Sequence, residues 1–304
     1  MDVLTILKAL SDETRLRIVS LLNGHELNVN EIVDVLDMGQ SRISRHLKIL
    51  SDAGILSCRK DGLWAFYTVV SGNGTGDFLM PIIERLNGGI YESDSRSLES
   101  YMEEKSEKGR AYFDRVASKW DSIRSEILGG IDLNREIIKS INKSKVTADL
   151  GCGNGELAAL LLERSEKVIG VDRSTGMLDM AKKNTGSETD GRLDFRLGEL
   201  SHLPVRDGEV DTAVINLVLH YLDVPAGGID EAARILKKGG RLIIADLSIH
   251  KDESMRSRFG HRWLGFSDAT IREWMKQYGL KVDKVKNFRA DNGLEPFIYV
   301  CSKI

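Results

Sequence analysis

Near Val146 the apolar residues of this chain stop recurring at helical spacing and fall instead into strand-length runs separated by helix-length amphipathic stretches. Such alternation folds into a parallel sheet covered on both faces, because each helix must return the chain to the same end of the sheet. Strands are expected at 146–150, 168–172, 193–197, 210–216, 241–247, 281–288 and 297–302, with helices at about 156–164, 177–184, 230–237 and 269–278. Upstream the pattern differs. Helical periodicity is expected over 2–10, 12–22, 30–36 and 40–53, followed by a hairpin of 55–59 and 63–70 turning at Asp61-Gly62. A small, glycine-rich joint at 71–76 leads to a helix over 77–86. At 304 residues the chain exceeds the size of one ordinary core. The expected organisation is therefore a unit of residues 1–90, a polar connector of 91–109 with some helix around 98–104, and an α/β unit of 110–304.

Composition narrows the classes. The apolar fraction of 41% and the charged fraction of 29% are those of a chain that buries ordinary cores. The formal net charge of −3 means that a nucleic-acid function must rest on a local basic face. Cys58, Cys152 and Cys301 lie far apart without metal-ligand spacing, so no metal site and a reducing, cytoplasmic setting are expected. The first residues lack a basic segment followed by an apolar one, and no apolar run approaches the ~18 residues of a membrane span. Neither export nor membrane insertion is expected.

The local basic face is found on the fourth helix and the hairpin. Arg42, Arg45, Lys48, Arg59 and Lys60 fall there, with Asp52 and Asp61 as the acids, in the pattern of a recognition helix and wing. Gln40, Ser41, Arg42 and Ser44 are candidates for base edges, and Arg45, His46, Lys48, Arg59 and Lys60 for phosphates. Leu10-Ser11-Asp12-Glu13-Thr14-Arg15-Leu16-Arg17-Ile18, with Ser44-Arg45-His46-Leu47-Lys48-Ile49-Leu50 and Ala53-Gly54, resembles the arsenic-repressor (ArsR) class of winged helix-turn-helix regulators. The resemblance implies a homodimer, paired through the first helix and the one after the wing. It also implies a two-fold operator in double-stranded DNA with half-sites about 34 Å apart. Where metal sensors of that class carry cysteines, this chain has Asn28 and Asn30, which argues against soft-metal sensing.

In the second half, Ala148-Asp149-Leu150-Gly151-Cys152-Gly153-Asn154-Gly155 joins the first expected strand to a helix, letting the backbone approach a ligand at a helix N-terminus. Asp172, at the end of the next strand, is placed to accept both hydroxyls of a ribose. The Gly-x-Gly-x-Gly form resembles class I methyltransferases, a Rossmann-like fold with a seven-stranded sheet. The resemblance implies S-adenosylmethionine or S-adenosylhomocysteine as the ligand. It assigns Asp149, Gly151, Cys152, Gly153, Gly155, Asp172, Arg173 and Met177 to the cleft, Glu199 and Leu200 to adenine, and Asn216 to the methionine moiety. Tyr112 and Trp120 lie in a segment, from Tyr112-Phe113-Asp114-Arg115 to Trp120-Asp121, that is similar to the lead-in helix of quinone-biosynthesis methyltransferases.

Methyl transfer needs in-line placement more than a dedicated acid or base, so turnover is not legible in motifs. His220 and His261 are the candidate bases, with Tyr221 and Arg262 beside them facing an acceptor pocket. No cysteine is placed for arsenic chemistry. A regulator whose second domain senses the adenosyl ligand and alters operator affinity is the first reading. The alternative is an active small-molecule methyltransferase with an autoregulatory DNA-binding domain. The missing Asp/Asn-Pro-Pro-Tyr-like motif argues against a DNA base as acceptor.

Overall fold

The computed structural model describes residues 2–61, 64–72, 74–186 and 191–304, and the chain divides into two compact units, Met1–Glu107 and Lys108–Ile304. Gly62 and Leu63 of the expected hairpin, and Asn73 of the expected joint, lie outside the described residues.

The first unit runs α1 (Val3–Leu10), α2 (Glu13–Leu21), β1 (Leu27–Asn28), α3 (Val29–Leu36), α4 (Gln40–Asp52), β2 (Leu56–Asp61), β3 (Trp64–Val69) and α5 (Thr75–Ile83), and takes in most of α6 (Gly89–Val116). Its core gathers Ile18, Leu22, Ile32, Ile43, Leu47, Leu50 and Ile55, each fully buried. Asn28 opens α3 with a capping box: its side chain accepts from the amides of Asn30 and Glu31, and Glu31 accepts from the Asn28 amide. The sheet order is β1-β3-β2, all antiparallel. β1 was too short to announce itself in the sequence.

The segment expected as a polar connector is helical throughout. Residues 91–109 lie within the 28-residue helix α6, and its first turns pack on the winged core through Leu98, Tyr101 and Met102. Asp94 accepts two hydrogen bonds from Arg17, each 2.7 Å, and Lys105 pairs with Glu31. Those residues recur at helical spacing along one narrow stripe, with charged residues on every other side.

The second unit takes in the last turns of α6 and continues with a 3-10 turn (Ala117–Lys119), α7 (Trp120–Leu128) and α8 (Leu133–Ile138). It then alternates β4 (Ser144–Leu150), α9 (Glu156–Leu161), β5 (Ser165–Asp172), α10 (Thr175–Thr185), β6 (Leu193–Leu197) and β7 (Val210–Asn216). A 3-10 turn (Leu219–Tyr221), α11 (Pro225–Ile235), β8 (Leu236–Leu247), α12 (Ser254–Phe259), α13 (Asp268–Gln277), β9 (Leu280–Asn287) and β10 (Pro296–Lys303) follow. The seven strands lie in the order β6-β5-β4-β7-β8-β10-β9. β6 to β8 are mutually parallel, whereas β10 runs antiparallel to both neighbours, so the sheet is mixed rather than wholly parallel. Between β4 and β7 the strand order reverses, which opens a crevice at their C-terminal ends.

Candidate functional site

At that reversal the chain leaves β4 through Gly151, Gly153 and Gly155, all at positive φ. A Cβ on Gly151 would collide with the Val218 side chain, so the loop lies directly against the segment leaving β7. Asp172, at the end of β5, accepts from the amides of Gly153 and Ser174, each at 2.9 Å. It thereby pins the glycine loop to the neighbouring strand and retains lone pairs for further donors. Ser174 caps α10 by accepting from the amide of Met177, which is 1% exposed. Cys152 is buried, and burial first, then the charges of Asp149 and Asp172, pushes its thiol up, away from the reactive thiolate.

Two buried acceptors face the same reversal. Asp149 Oδ2 has no hydrogen-bond partner among the described residues, and neither has Asn216 Oδ1, although the Asn216 amide donates to Asn134 at 3.0 Å. Burial, and then the charge of Asp172, pushes the Asp149 carboxyl up to about 7. Leu217, just after Asn216, takes φ 57°, a left-handed conformation that a branched side chain adopts only under constraint.

The lead-in segment is tied to this cleft. Asp114 accepts from the Ser174 hydroxyl at 2.5 Å and the Gly176 amide at 3.0 Å, and Asp121 accepts from Asn154 at 2.7 Å. The Arg173 guanidinium lies over the Phe113 ring at 5.6 Å. Trp120 Nε1 sits 3.4 Å from the position of a Cβ on Gly153, and Tyr112 packs beside Gly260. Leu200 is buried and Glu199 exposed on the turn after β6.

On the acceptor side, His220 and His261 come together, ring centroids 4.1 Å apart, and Tyr221 packs against both, tilted on His220 and edge-on to His261. Arg262 pairs instead with Asp223 at 2.5 Å. His220 Nδ1 meets Asp246 Oδ1 at 2.6 Å, with both side chains fully buried. Sequence reading missed Asp246, although it is the one acid in the apolar run Leu242-Ile243-Ile244-Ala245-Asp246-Leu247, and it missed Asp114.

In the first unit, Gln40, Ser41, Arg42, Ser44, Arg45 and Lys48 are exposed on α4, opposite the buried Ile43, Leu47 and Leu50. Arg42 also donates to Thr14 at 2.8 Å, and Lys48 pairs with Asp52 at 3.1 Å. His46 departs from expectation. It is 4% exposed, faces inward 3.8 Å from Asp12, and its helical position puts it on the side of Ile43 and Leu50, so it is not presented to phosphates. Lys60 is exposed, whereas Arg59 is half-buried, held at 2.9 Å by Glu26 and laid over Phe66.

Comparison with known proteins agrees with this division. The model of the bacterial regulatory protein arsR family matches residues 12–57, and the methyltransferase-domain model matches residues 148–244. An arsenite methyltransferase of Halobacterium salinarum is 31% identical over 142 residues, 44% of this chain and 36% of that protein. A demethylmenaquinone methyltransferase of Clavibacter sepedonicus is 30% identical over 142 residues, 45% of this chain and 57% of that one. The match therefore spans between about a third and three fifths of these relatives' length. Among solved structures, a geranyl diphosphate C-methyltransferase from Streptomyces coelicolor, in complex with S-adenosyl-L-homocysteine, superposes with a TM-score of 0.55 at 14% identity. The superposition covers 66% of this chain and 98% of that one, a likeness of fold. This protein thus carries an arsR-family helix-turn-helix in its first unit and, in its second, a methyltransferase domain of class I fold.

Proposed function

We propose that the second unit binds S-adenosylmethionine or S-adenosylhomocysteine and that the bound ligand sets the affinity of the first unit for its operator. The observation that carries the ligand is the pair of buried acceptors without partners, Asp149 Oδ2 and Asn216 Oδ1, at the ends of the adjacent strands β4 and β7. An unpaired buried acceptor costs about 1–3 kcal/mol, and the ammonium end of an adenosyl amino acid offers the donors that remove the cost. Asp172 would take the ribose hydroxyls, Glu199 and Leu200 the adenine, and Tyr112 and Trp120 would cover the ligand. Arg173, Met177 and Cys152 complete the walls. S-adenosylmethionine, when bound, supplies an electrophilic methyl group.

The exposed donors of α4 are suited to the major groove, with Arg45, Lys48 and Lys60 at phosphates. Val3, Leu4 and Leu7 of α1 are 51%, 56% and 48% exposed, and Met80 of α5 is 40% exposed. We assign these apolar faces to a homodimer on a two-fold site in double-stranded DNA, in the cytoplasm. Among the described residues no helix is long and apolar enough to cross a membrane. The second reading, a methyltransferase turning over a small molecule, is favoured specifically by the His220–Asp246 contact. Arsenite fits this cleft poorly as the acceptor: Cys152 is buried with its thiol pushed up, and burial raises Cys301 to about 12.

The test is calorimetric titration with each adenosyl ligand, with and without the protein's own upstream promoter DNA. Operator coupling requires that DNA change ligand affinity by the same factor as ligand changes DNA affinity. Ligand binding that ignores DNA would leave the enzyme reading alone.

A further inference from the structure

The His220–Asp246 pair is assembled from two adjacent parallel strands. His220 lies in the 3-10 turn after β7 and Asp246 is the penultimate residue of β8. The His220 carbonyl accepts from the amides of Arg262 and Trp263, at 2.9 and 3.1 Å, so the loop after α12 also fixes the ring. A carboxylate oxygen 2.6 Å from Nδ1 favours the tautomer with its proton on that nitrogen, which turns Nε2 toward any further partner as an acceptor.

In a structural pair the outer nitrogen is ordinarily satisfied as well. Here His220 Nε2, both ring nitrogens of His261 and the Tyr221 hydroxyl are buried without a hydrogen-bond partner among the described residues. All belong to one aromatic cluster, in which Tyr221 meets Phe113 edge-on at 4.9 Å and Trp120 at 6.5 Å. Trp120 in turn lies against the glycine loop, so the cluster adjoins the proposed cofactor position. The walls are aromatic rings. The cations beside them have acidic partners, Arg262 with Asp223 and Arg256 with Glu253.

We propose that His220 Nε2 is a general base, oriented by Asp246, for a methyl acceptor that is a flat, uncharged ring methylated on a hydroxyl oxygen. This rests on the cofactor reading above. In the step, the hydroxyl proton passes to Nε2 and an oxygen lone pair forms the new bond to the methyl carbon. The carbon–sulfur bond breaks with its electron pair kept by sulfur. Asp246 stabilises the resulting imidazolium, and the proton leaves to water after the product departs. Acceptors with a ready lone pair, such as thioethers or trivalent arsenic, need no such base.

4-Nitrophenol, which is coloured only when ionised, tests this with the full-length protein saturated with S-adenosylhomocysteine. Bound probe should stay ionised to at least about one pH unit below the free probe, a tenfold shift. The profile is read beside the other titrating groups of the cluster: His261, pushed down by burial, with His250, Tyr112, Tyr221 and Arg256. His220→Gln and Asp246→Asn should each remove the shift while S-adenosylhomocysteine affinity stays within about twofold, which also shows that the variants fold. With methyl-labelled S-adenosylmethionine and 2-naphthol, kcat of His220→Gln should fall at least about 100-fold. The proposal is overturned if saturated wild-type protein fails to bind or ionise the probe, if the shift survives in His220→Gln, or if methylation of 2-naphthol proceeds equally in both proteins. Failure to bind S-adenosylhomocysteine at all overturns the cofactor reading, and this proposal with it.

Discussion

At Asp149 the carboxyl is 1% exposed, and burial first, then the Asp172 charge, holds its acidity near 7 against an ordinary value of 3.8. Between those values the unfolded chain has released a proton that the folded chain keeps. Stability contributed at this residue therefore declines as pH rises from about 4 to 7 and is flat above. Scanning calorimetry of the ligand-free protein should show the midpoint of the second unit falling across that window, and Asp149→Asn should flatten the decline. A cationic ligand beside Asp149 favours its ionised form, so the stabilisation conferred by S-adenosylmethionine should grow over the same range. Gly151 gives a second test. An alanine there meets Val218 and a positive φ of 78°, so Gly151→Ala should destabilise by about 2–4 kcal/mol in denaturant titration. Val218→Ala in the same chain should restore the share due to the clash and leave the backbone cost. Much of this loop was legible in the sequence, since glycine spacing and a strand-terminal aspartate are local properties. That Asp172 holds the loop through the Gly153 amide was not legible, because it depends on the register of β5 against β4.

Helix α6 illustrates the limits of reading elements one at a time. Its composition is that of an exposed connector, yet Asp94, Leu98, Tyr101, Met102 and Lys105 form a stripe committed to the first unit. The Arg17 and Asp94 side chains are 13% and 8% exposed, and removing one leaves the other buried and unmatched. Arg17→Met should cost about 3–5 kcal/mol in the unfolding of the first unit, and Arg17→Met with Asp94→Leu should regain most of it. Helix α4 was easier to read, because its apolar residues repeat at the expected spacing and its donors lie opposite. Arg45→Ala should weaken operator binding across sequences and lower the dependence of log affinity on log salt by about one, read by gel shift, while adenosyl binding persists. His46 departs from that pattern: a histidine is polar enough to suggest the surface and apolar enough to be packed inward, where burial lowers its basicity.

For the whole molecule, a regulator and an enzyme differ in one measurable quantity, the coupling free energy between operator and adenosyl ligand. A tenfold change in operator affinity on adding S-adenosylhomocysteine corresponds to about 1.4 kcal/mol and must appear, undiminished, as a tenfold change in the opposite titration. Asp172→Ala should abolish that coupling by removing the ligand, and should leave operator binding without ligand intact. Loss of both activities in this variant would identify Asp172 as a residue the fold itself requires.

By itself the sequence determined what depends on neighbours along the chain: the change of hydrophobic period near Val146, the glycine-rich turn, the strand ends that carry Asp149, Asp172 and Asn216, and the basic face of α4. Those features follow from backbone geometry repeating every 3.6 or 2 residues, so they survive without knowledge of the fold. Tertiary structure alone decided the pairing of His220 with Asp246, separated by 26 residues, and of Arg17 with Asp94, separated by 77. It also decided the inward turn of His46 and the antiparallel course of β10. Each is a contact between segments remote in sequence. Strand register and close packing bring the partners together, and no local periodicity encodes which buried polar atom will find which.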